Sequence, residues 1–235
     1  MIRQIIAMGG GGFSMEPDNL ALDQFILTKT RKRQPSVCFM PTASGDAADY
    51  VVRFYSAFSK LVCKPSHLSL FKLPTSDLED FILEQDVIYV GGGNTRSMLS
   101  LWREWGMVEI LQEAYENGSI LSGLSAGAIC WFEQGVTDSV PGELGVLSCL
   151  GFLSGSCCPH YGGEPERRPV YHQLISQEKI LPGYGIDDGA ALHFVDGQLN
   201  CVVSSRPNAR AFNVRKVSGK IEEKQLEDTY LGDLR

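Results

Sequence analysis

The stretch GSILSGLSAGAICWF, residues 118–132, lies near the middle of the 235-residue chain. Residues 119–123 have the character of a short buried strand, and the small and apolar residues after Ser125 are typical of a helix. Gly123 to Gly127 match the pattern G-x-S-x-G, in which small neighbours allow a sharp turn that exposes the serine hydroxyl. The stretch predicts a strand, a turn at Ser125 and a helix. Taken alone, it leaves open a nucleophile or a merely structural turn.

The segments on either side of this stretch alternate between strand-like and helical patterns. Helical spacing of apolar residues recurs after Pro17, in 51–58 and in 95–117, with a break predicted near Gly106. Short apolar runs between them predict strands at residues 5–8, 36–40, 67–73 and 86–90. This alternation predicts an α/β fold of three layers, with a mostly parallel sheet covered by helices on both faces.

The last third of the chain has a different pattern. Asp196-Gly197 separates two strand-like runs, which is a strong hairpin signal, and residues 209–223 suggest a second hairpin. No repeat or linker interrupts the sequence. We therefore expect one domain over residues 1–235 with antiparallel C-terminal hairpins, whose surface is a candidate for homodimer formation.

Composition excludes several classes of protein. The net charge of −7 argues against nucleic acid or an anionic membrane as a partner. No apolar run reaches transmembrane length, and the N-terminal run is too short for a signal peptide. The seven cysteines are odd in number and form no C-x-x-C pair, so neither a disulfide framework nor a zinc site is indicated. We expect a cytoplasmic protein that needs no metal and no cofactor.

Two glycine-rich segments follow predicted strands. VGGGNTRSML, residues 90–99, matches neither a dinucleotide fingerprint nor a P-loop, so a phosphate site is disfavoured. Its backbone N–H groups are candidates for one side of an oxyanion hole, with the Ala126 amide on the other. A tight structural turn is the alternative. MGGGGF, residues 8–13, is interpreted as a turn that brings backbone close to the edge of the active site.

A serine nucleophile needs a base, and the chain offers four histidines. His160 follows a strand-like run and precedes Gly162-Gly163, in the kind of loop that suits catalysis. The other three, His67, His172 and His193, lie in strand or helix patterns where an ordinary structural role is expected. For the acid, Asp187 and Asp188 lie side by side between glycines, either in an ordinary turn or as the group that orients the imidazole.

Four stretches taken together resemble the serine peptidase family of dipeptidase E (α-aspartyl dipeptidase) and cyanophycinase. They are IIAMGGGGF, YVGGGNTRSML, GLSAGAICWF with PHYGG, and GIDDGAAL. The resemblance implies a fold similar to class I glutamine amidotransferases and a catalytic triad of Ser125, His160 and Asp188. It also implies oxyanion amides from Ala126 and from Gly92 or Gly93, and no cofactor.

The same resemblance implies a serine-type exopeptidase or dipeptidase that hydrolyses small peptides, with N-terminal aspartyl dipeptides as one substrate class. Four residues are candidates for binding the substrate: Asn94, Tyr161, Arg167 and Arg168. The alternatives are a cyanophycinase-like or carboxypeptidase-like hydrolase, and a non-catalytic protein of the same fold that binds a small molecule. An esterase of α/β-hydrolase type is a further alternative, in which His193 would serve Ser125.

Overall fold

The computed structural model describes residues 1–234. Arg235, the last residue of the predicted domain, lies outside the described residues. The described residues form fourteen strands, and helices separate most of those in the first half of the chain. In chain order, the strands are β1 (Gln4–Met8), β2 (Ser36–Met40), β3 (Lys64–His67), β4 (Val87–Val90), β5 (Ile120–Leu124), β6 (Phe132–Thr137), β7 (Gly145–Ser148), β8 (Leu153–Cys158), β9 (Gly183–Ile186), β10 (Ala190–Val195), β11 (Gln198–Ser204), β12 (Ala211–Val217), β13 (Lys220–Gln225) and β14 (Asp228–Tyr230).

The helices fall mostly between strands of the first half of the chain. They are α1 (Gly12–Met15), α2 (Ala21–Thr28), α3 (Ala48–Phe58), α4 (Leu78–Leu83), α5 (Thr95–Glu104), α6 (Met107–Glu116), α7 (Ala126–Ile129) and α8 (Arg167–Ser176). The predicted break in 95–117 is confirmed at Gly106, whose φ of 65° separates α5 from α6. None of the described helices has the length and apolarity to cross a membrane.

The main sheet has eight strands in the order β14-β11-β10-β1-β5-β4-β2-β3. Strands β1, β5, β4, β2 and β3 pair in parallel, and β10 joins β1 in the antiparallel sense. Alternate side chains of β1 enter different cores. Ile5 and Ala7 pack with α5 and α6, whereas Ile6 and Met8 pack with α2 and α3. The predicted three-layer α/β fold is confirmed, because both faces of the sheet are covered.

A second sheet of six strands has the order β13-β12-β9-β8-β6-β7. The Asp196-Gly197 hairpin is confirmed as β10–β11 and extends the main sheet. The second hairpin is confirmed as β12–β13 and belongs to the second sheet. The sequence did not reveal that a separate sheet exists, because β6 to β9 are short and rich in glycine, serine and cysteine.

One strand prediction is wrong. The run 67–73 was expected to be a strand, but β3 occupies Lys64–His67 and pairs with β2 alone at the edge of the sheet. Since β2 ends at Met40, chain beyond His67 has little left to pair with. The Phe71 amide instead donates to the Asp46 carboxylate, and the alternating pattern reflects only the burial of Leu68 and Leu70.

A buried carboxyl lies beneath the first glycine run. The Asp23 side chain on α2 is 0% exposed, and it accepts a hydrogen bond from the Tyr89 hydroxyl at 3.1 Å. Its Oδ2 atom has no hydrogen-bond partner among the described residues. Burial raises the pKa of Asp23 to about 7, although hydrogen bonds from Tyr89 and from the Phe13 backbone oppose the rise. The folded protein therefore holds this carboxyl protonated over a range in which the unfolded chain would ionise it.

Folding stability is expected to depend on pH through Asp23. The folded pKa lies above the ordinary value of 3.8, so its contribution is complete below about pH 4 and is lost as the pH rises towards 7. An Asp23→Asn variant lacks this titration. Between pH 5 and pH 8 the wild type should lose about 2–3 kcal/mol of unfolding free energy relative to the variant. Denaturant titrations of both proteins at the two pH values measure this change. If the unfolding free energies of wild type and variant differ by the same amount at pH 5 and pH 8, the raised pKa of Asp23 is wrong.

Candidate active site

Ser125 stands on a strained turn between β5 and α7. Its φ of 53° and ψ of −112° are unusual for a residue with a side chain, and the surrounding structure must hold them. From Ser119 to Phe132, Ser125 is the one residue that is not buried. Its hydroxyl makes no hydrogen bond with the residues that the structure describes. The turn therefore presents a free hydroxyl at the carboxyl end of β5 and at the N-terminus of α7.

The glycines of G-x-S-x-G are required by close packing. A Cβ at Gly127 would lie 2.2 Å from the carbonyl oxygen of Val90, at the end of β4. A Cβ at Gly123 would lie 2.4 Å from the Gly127 carbonyl oxygen. Because no side chain fits at either position, α7 can lie directly against β4 and β5. The motif fixes where Ser125 sits relative to the end of the parallel sheet.

His160 and Asp188 form a hydrogen-bonded pair. His160 Nδ1 lies 2.6 Å from Asp188 Oδ1, and the two side chains are 13% and 16% exposed. Burial would raise the pKa of Asp188, but the hydrogen bond and charge of His160, helped by Arg206 and Arg167, outweigh it and hold the pKa below its ordinary value. Asp188 is therefore a carboxylate near neutral pH. Nε2, the other ring nitrogen of His160, has no hydrogen-bond partner among the described residues.

The end of β1 brings the three segments together through its backbone. The Met8 carbonyl accepts the Ser125 amide at 3.1 Å, and the Gly9 carbonyl accepts the His160 amide at 3.3 Å. The next carbonyl, of Gly10, accepts the amide of Gly189 at 2.9 Å, one residue after Asp188. Three consecutive carbonyls thus position the segments that carry Ser125, His160 and Asp188. The run MGGGG therefore has a direct role at this edge of the sheet, which its position after a strand suggested.

Gly10→Ala is expected to damage the site while leaving the fold in place. A Cβ at Gly10 would lie 2.1 Å from Asp188 Oδ1 and 3.0 Å from His160 Nδ1, so the pair would have to move. Displacement of a catalytic group by about 1 Å costs roughly 10²-fold in rate, and we expect a loss of that size in kcat. Gly145→Ala is the matched control, because a Cβ there meets nothing within 4 Å. Equal turnover by the two variants would contradict the role given to Gly10.

The neighbouring carboxylate, Asp187, faces other partners. Its Oδ2 accepts the Arg210 amide at 3.0 Å, and its Oδ1 has no hydrogen-bond partner in the described chain. Burial raises the pKa of Asp187, against hydrogen bonds from the backbones of Arg210 and Gly162. Of the two adjacent acids, Asp188 is the one in contact with His160. Asp187 instead links the loop after His160 to the segment before β12.

Some of the backbone amides proposed for an oxyanion hole already donate a hydrogen bond within the protein, and others do not. The Gly92 amide donates to the Tyr50 hydroxyl at 3.2 Å, which already satisfies it. The Gly93 and Ala126 amides donate to no group within the described residues, and Ala126 begins α7 directly after Ser125. Gly92 lies close to the serine nevertheless, since a Cβ there would be 3.4 Å from Ser125 Cβ. Gly93 and Ala126 are therefore the amides that remain available.

The four residues expected to bind substrate all have partners within the protein. Asn94 caps α5 by accepting the Ser97 amide, and its side-chain amide donates to the Ser139 carbonyl. Tyr161 is buried, and its hydroxyl donates to Glu223. The buried Arg167 donates to Glu164 and to the Val136 carbonyl, and Arg168 is ion-paired with Glu223. The Ser97 and Glu164 partners lie three residues away, but the others lie on distant segments, up to 62 residues away in the sequence.

The remaining histidines have ordinary structural roles. Buried His193 contacts Gln4 Oε1 through Nε2 at 2.9 Å and has no acidic partner among the described residues. Desolvation lowers its pKa to about 4, with the charge of Lys29 adding to the effect. His67 contacts the Tyr55 hydroxyl, and His172 contacts Tyr161 and Glu223. The structure does not bring His193 into the arrangement that an α/β-hydrolase triad would need.

A large surface groove, about 920 Å³ in volume, lies at the opposite edge of the main sheet. Its lining includes Gln4 and Ile120, the first residues of β1 and β5. It is therefore separate from the strand ends that carry Ser125. Among the described residues, no group of three or more His, Cys, Asp or Glu side chains is placed to hold a metal ion.

Comparison with known proteins shows the family to which the chain belongs. The model of peptidase family S51 matches residues 5–202. The chain belongs to this family. A peptidase of Bacillus subtilis (strain 168) named YgaJ is 61% identical over 231 residues, which cover 98% of this chain and 100% of that protein. Peptidase E of Haemophilus influenzae (Rd) is 30% identical over 132 residues, which cover 52% of this chain and 60% of that protein.

Solved structures are similar in fold. A peptidase E protein from Listeria monocytogenes EGD-e superposes with a TM-score of 0.64 at 21% identity, over 85% of this chain and 98% of that one. A peptidase from an acI-B1 actinobacterium gives 0.67 at 17% identity, over 97% of this chain and 95% of that one. The predicted family and its fold are confirmed, and the protein is a peptidase related to peptidase E.

Proposed function

We propose that the protein is a serine peptidase in which Ser125 is the nucleophile, His160 the general base and Asp188 the acid that orients the base. The observation that supports this most strongly is the 2.6 Å pair of His160 Nδ1 and Asp188 Oδ1, with Ser125 and His160 anchored to adjacent carbonyls, of Met8 and Gly9, at the end of β1. A carboxylate at Nδ1 fixes the imidazole tautomer that leaves Nε2 free to accept a proton.

In the first step, the Ser125 hydroxyl attacks the carbonyl carbon of the scissile peptide while His160 Nε2 takes the hydroxyl proton. The imidazolium that forms is stabilised by the Asp188 carboxylate. The negative charge that develops on the carbonyl oxygen is received by the amides of Ala126 and Gly93. One such donor contributes about 3–4 kcal/mol in comparable sites.

Collapse of the tetrahedral intermediate breaks the C–N bond. His160 delivers its proton to the departing amine, and the acyl group remains on Ser125 Oγ as an ester. Water then attacks the ester with His160 as the base, which releases the second product and restores the hydroxyl. The acyl-enzyme divides one difficult hydrolysis into two steps of lower barrier.

We propose small peptides as substrates and cleavage near a chain end. The catalytic pair is largely buried and Ser125 is only partly exposed, which favours short, unfolded substrates over folded proteins. Specificity for an N-terminal aspartyl residue would need a cation free to receive its carboxylate, yet Arg167 and Arg168 both have carboxylate partners.

All seven cysteines are free thiols, which supports a reducing, cytoplasmic setting.

A library of dipeptides and tripeptides, varied and blocked at each end, tests this proposal. We expect hydrolysis of unblocked short peptides and a large loss when one particular terminus is blocked. Release of amines is the measurement, with Ser125→Ala as the control for contaminating peptidases. Absence of hydrolysis across the whole library, in protein shown to be folded, would contradict the peptidase proposal.

A further inference from the structure

The arginines in the segments around the catalytic pair are neutralised. Arg167 is paired with Glu164 and Asp138, and the pair of Arg206 with Glu16 lies beside Gly189. Two further arginines in these segments are also paired, Arg168 with Glu223 and Arg210 with Asp228. Each of these arginines therefore already has a carboxylate that balances its charge.

Glu223 makes the most extensive of these pairs. Its carboxylate accepts the Tyr161 hydroxyl at 2.5 Å, contacts His172 Nε2 at 2.8 Å and accepts two guanidinium nitrogens of Arg168. The Glu223 side chain is 14% exposed. Because two guanidinium nitrogens meet one carboxylate, the pair is directional as well as charged. This network holds the residue directly after His160, helix α8 and strand β13 together.

Arg168 lies beside the residue that directly follows His160. It stacks over the rings of Tyr161 and Phe212, at 5.5 and 5.1 Å from their centroids, and its side chain remains 48% exposed. Its charge also acts on Asp187, the neighbour of Asp188. A half-exposed guanidinium beside this segment is well suited to bind a carboxylate, except that Glu223 already occupies it.

We propose that Glu223 determines specificity by holding Arg168 in an ion pair, so that the site accepts peptides with neutral side chains and discriminates against acidic ones. This inference rests on the proposed peptidase function. An acidic side chain placed near Arg168 is disfavoured for two reasons: the guanidinium is held by Glu223, and the Glu223 carboxylate repels a second negative charge. Glu223 lies on the C-terminal hairpin, beyond residues 5–202 that match the family model.

Two substrates isolate the effect: the best neutral peptide of the library with Asn at the varied position, and the same peptide with Asp there. The wild type should hydrolyse the Asn peptide better. Glu223→Gln keeps an acceptor for Tyr161 and removes the charge that holds Arg168. We expect the ratio of kcat/KM for Asp over Asn to rise by about tenfold. A purely structural role for Glu223 would lower both rates and leave the ratio unchanged.

Glu222→Gln is the matched control. The neighbouring Glu222 forms an ion pair with Arg215 across the same hairpin, so the change removes one charge and one pair without touching Arg168. In Glu222→Gln, the ratio of kcat/KM for Asp over Asn should stay within about twofold of the wild-type ratio, because an exposed ion pair contributes little. Arg168→Ala added to Glu223→Gln should cancel the gain for the Asp peptide, since the freed guanidinium is then absent.

Arg168→Ala alone provides the result that would overturn the inference. If Arg168 already binds a substrate carboxylate in the wild type, this variant will lose Asp-peptide hydrolysis selectively and Glu223→Gln will not raise the ratio. In that case only the specificity inference fails, because peptides are still hydrolysed. If the wild type hydrolyses neither peptide nor any library member, the proposed function fails and this inference fails with it.

Discussion

Replacing Ser125 with alanine is expected to reduce kcat for the best peptide substrate by about 10⁶-fold, the loss measured when a triad serine is removed. The Ser125 hydroxyl oxygen is the atom that would carry the acyl group. Among the described residues, Ser125 alone occupies the strained turn after β5. Alanine is also smaller than serine and makes no new contact. Initial rates of purified wild type and variant, compared at the same substrate concentration, give the ratio.

The fold of the Ser125→Ala variant should be intact. The Ser125 hydroxyl makes no hydrogen bond within the described residues, so its removal leaves no buried polar group without a partner. Thermal unfolding midpoints of the two proteins should agree within a few degrees. Retention of most of the activity by a folded variant would show that the nucleophile lies elsewhere.

His160→Gln should cost nearly as much as the loss of Ser125, because nucleophile and base act as one unit. Glutamine can still donate to Asp188 but cannot take the serine proton. We expect a loss of about 10⁶-fold in kcat. The matched control is His193→Gln, whose imidazole contacts Gln4 and has no acidic partner among the described residues. Steady-state kinetics on one peptide measure both variants.

The two histidine variants separate competing triads. If His193→Gln were the inactive variant and His160→Gln the active one, the arrangement proposed here would be wrong. An esterase-type arrangement built on His193 would then need the main sheet to place that ring at the serine. In the structure, His193 is opposite Ile6 in the β1–β10 pairing, and its Nε2 contacts Gln4 at the start of β1.

Much of the fold was predictable because its signals are local. One stretch of sequence predicts a buried strand, a turn of small residues at Ser125 and a following helix. The same alternation of strand and helix recurs along the parallel sheet. The run 67–73 shows where a local pattern fails. Its apolar alternation is real, but pairing needs a neighbour, and β2 ends opposite the start of the run, where Phe39 pairs with His67.

Long-range backbone contacts bring the predicted active-site residues to the same end of the main sheet. His160 and Asp188 could be selected as residue types in suitable loops, but which of two adjacent acids faces the imidazole depends on backbone geometry. The anchoring role of Gly9 and Gly10 depends on amides from segments more than 100 residues away. Glu164 lies only three residues from Arg167, but the other partners of Arg167 and Arg168 lie on distant segments, so residues expected to bind substrate have intramolecular partners instead.

The central claim is that Ser125 carries the acyl group, and a covalent label on the serine tests it most directly. The protein is treated with a fluorophosphonate and analysed by intact mass and peptide mapping, beside Ser125→Ala and His160→Gln. We predict one adduct per wild-type chain, located on Ser125, with none on Ser125→Ala and much slower labelling of His160→Gln. An adduct on another residue, or equal labelling of the wild type and Ser125→Ala, would contradict the account.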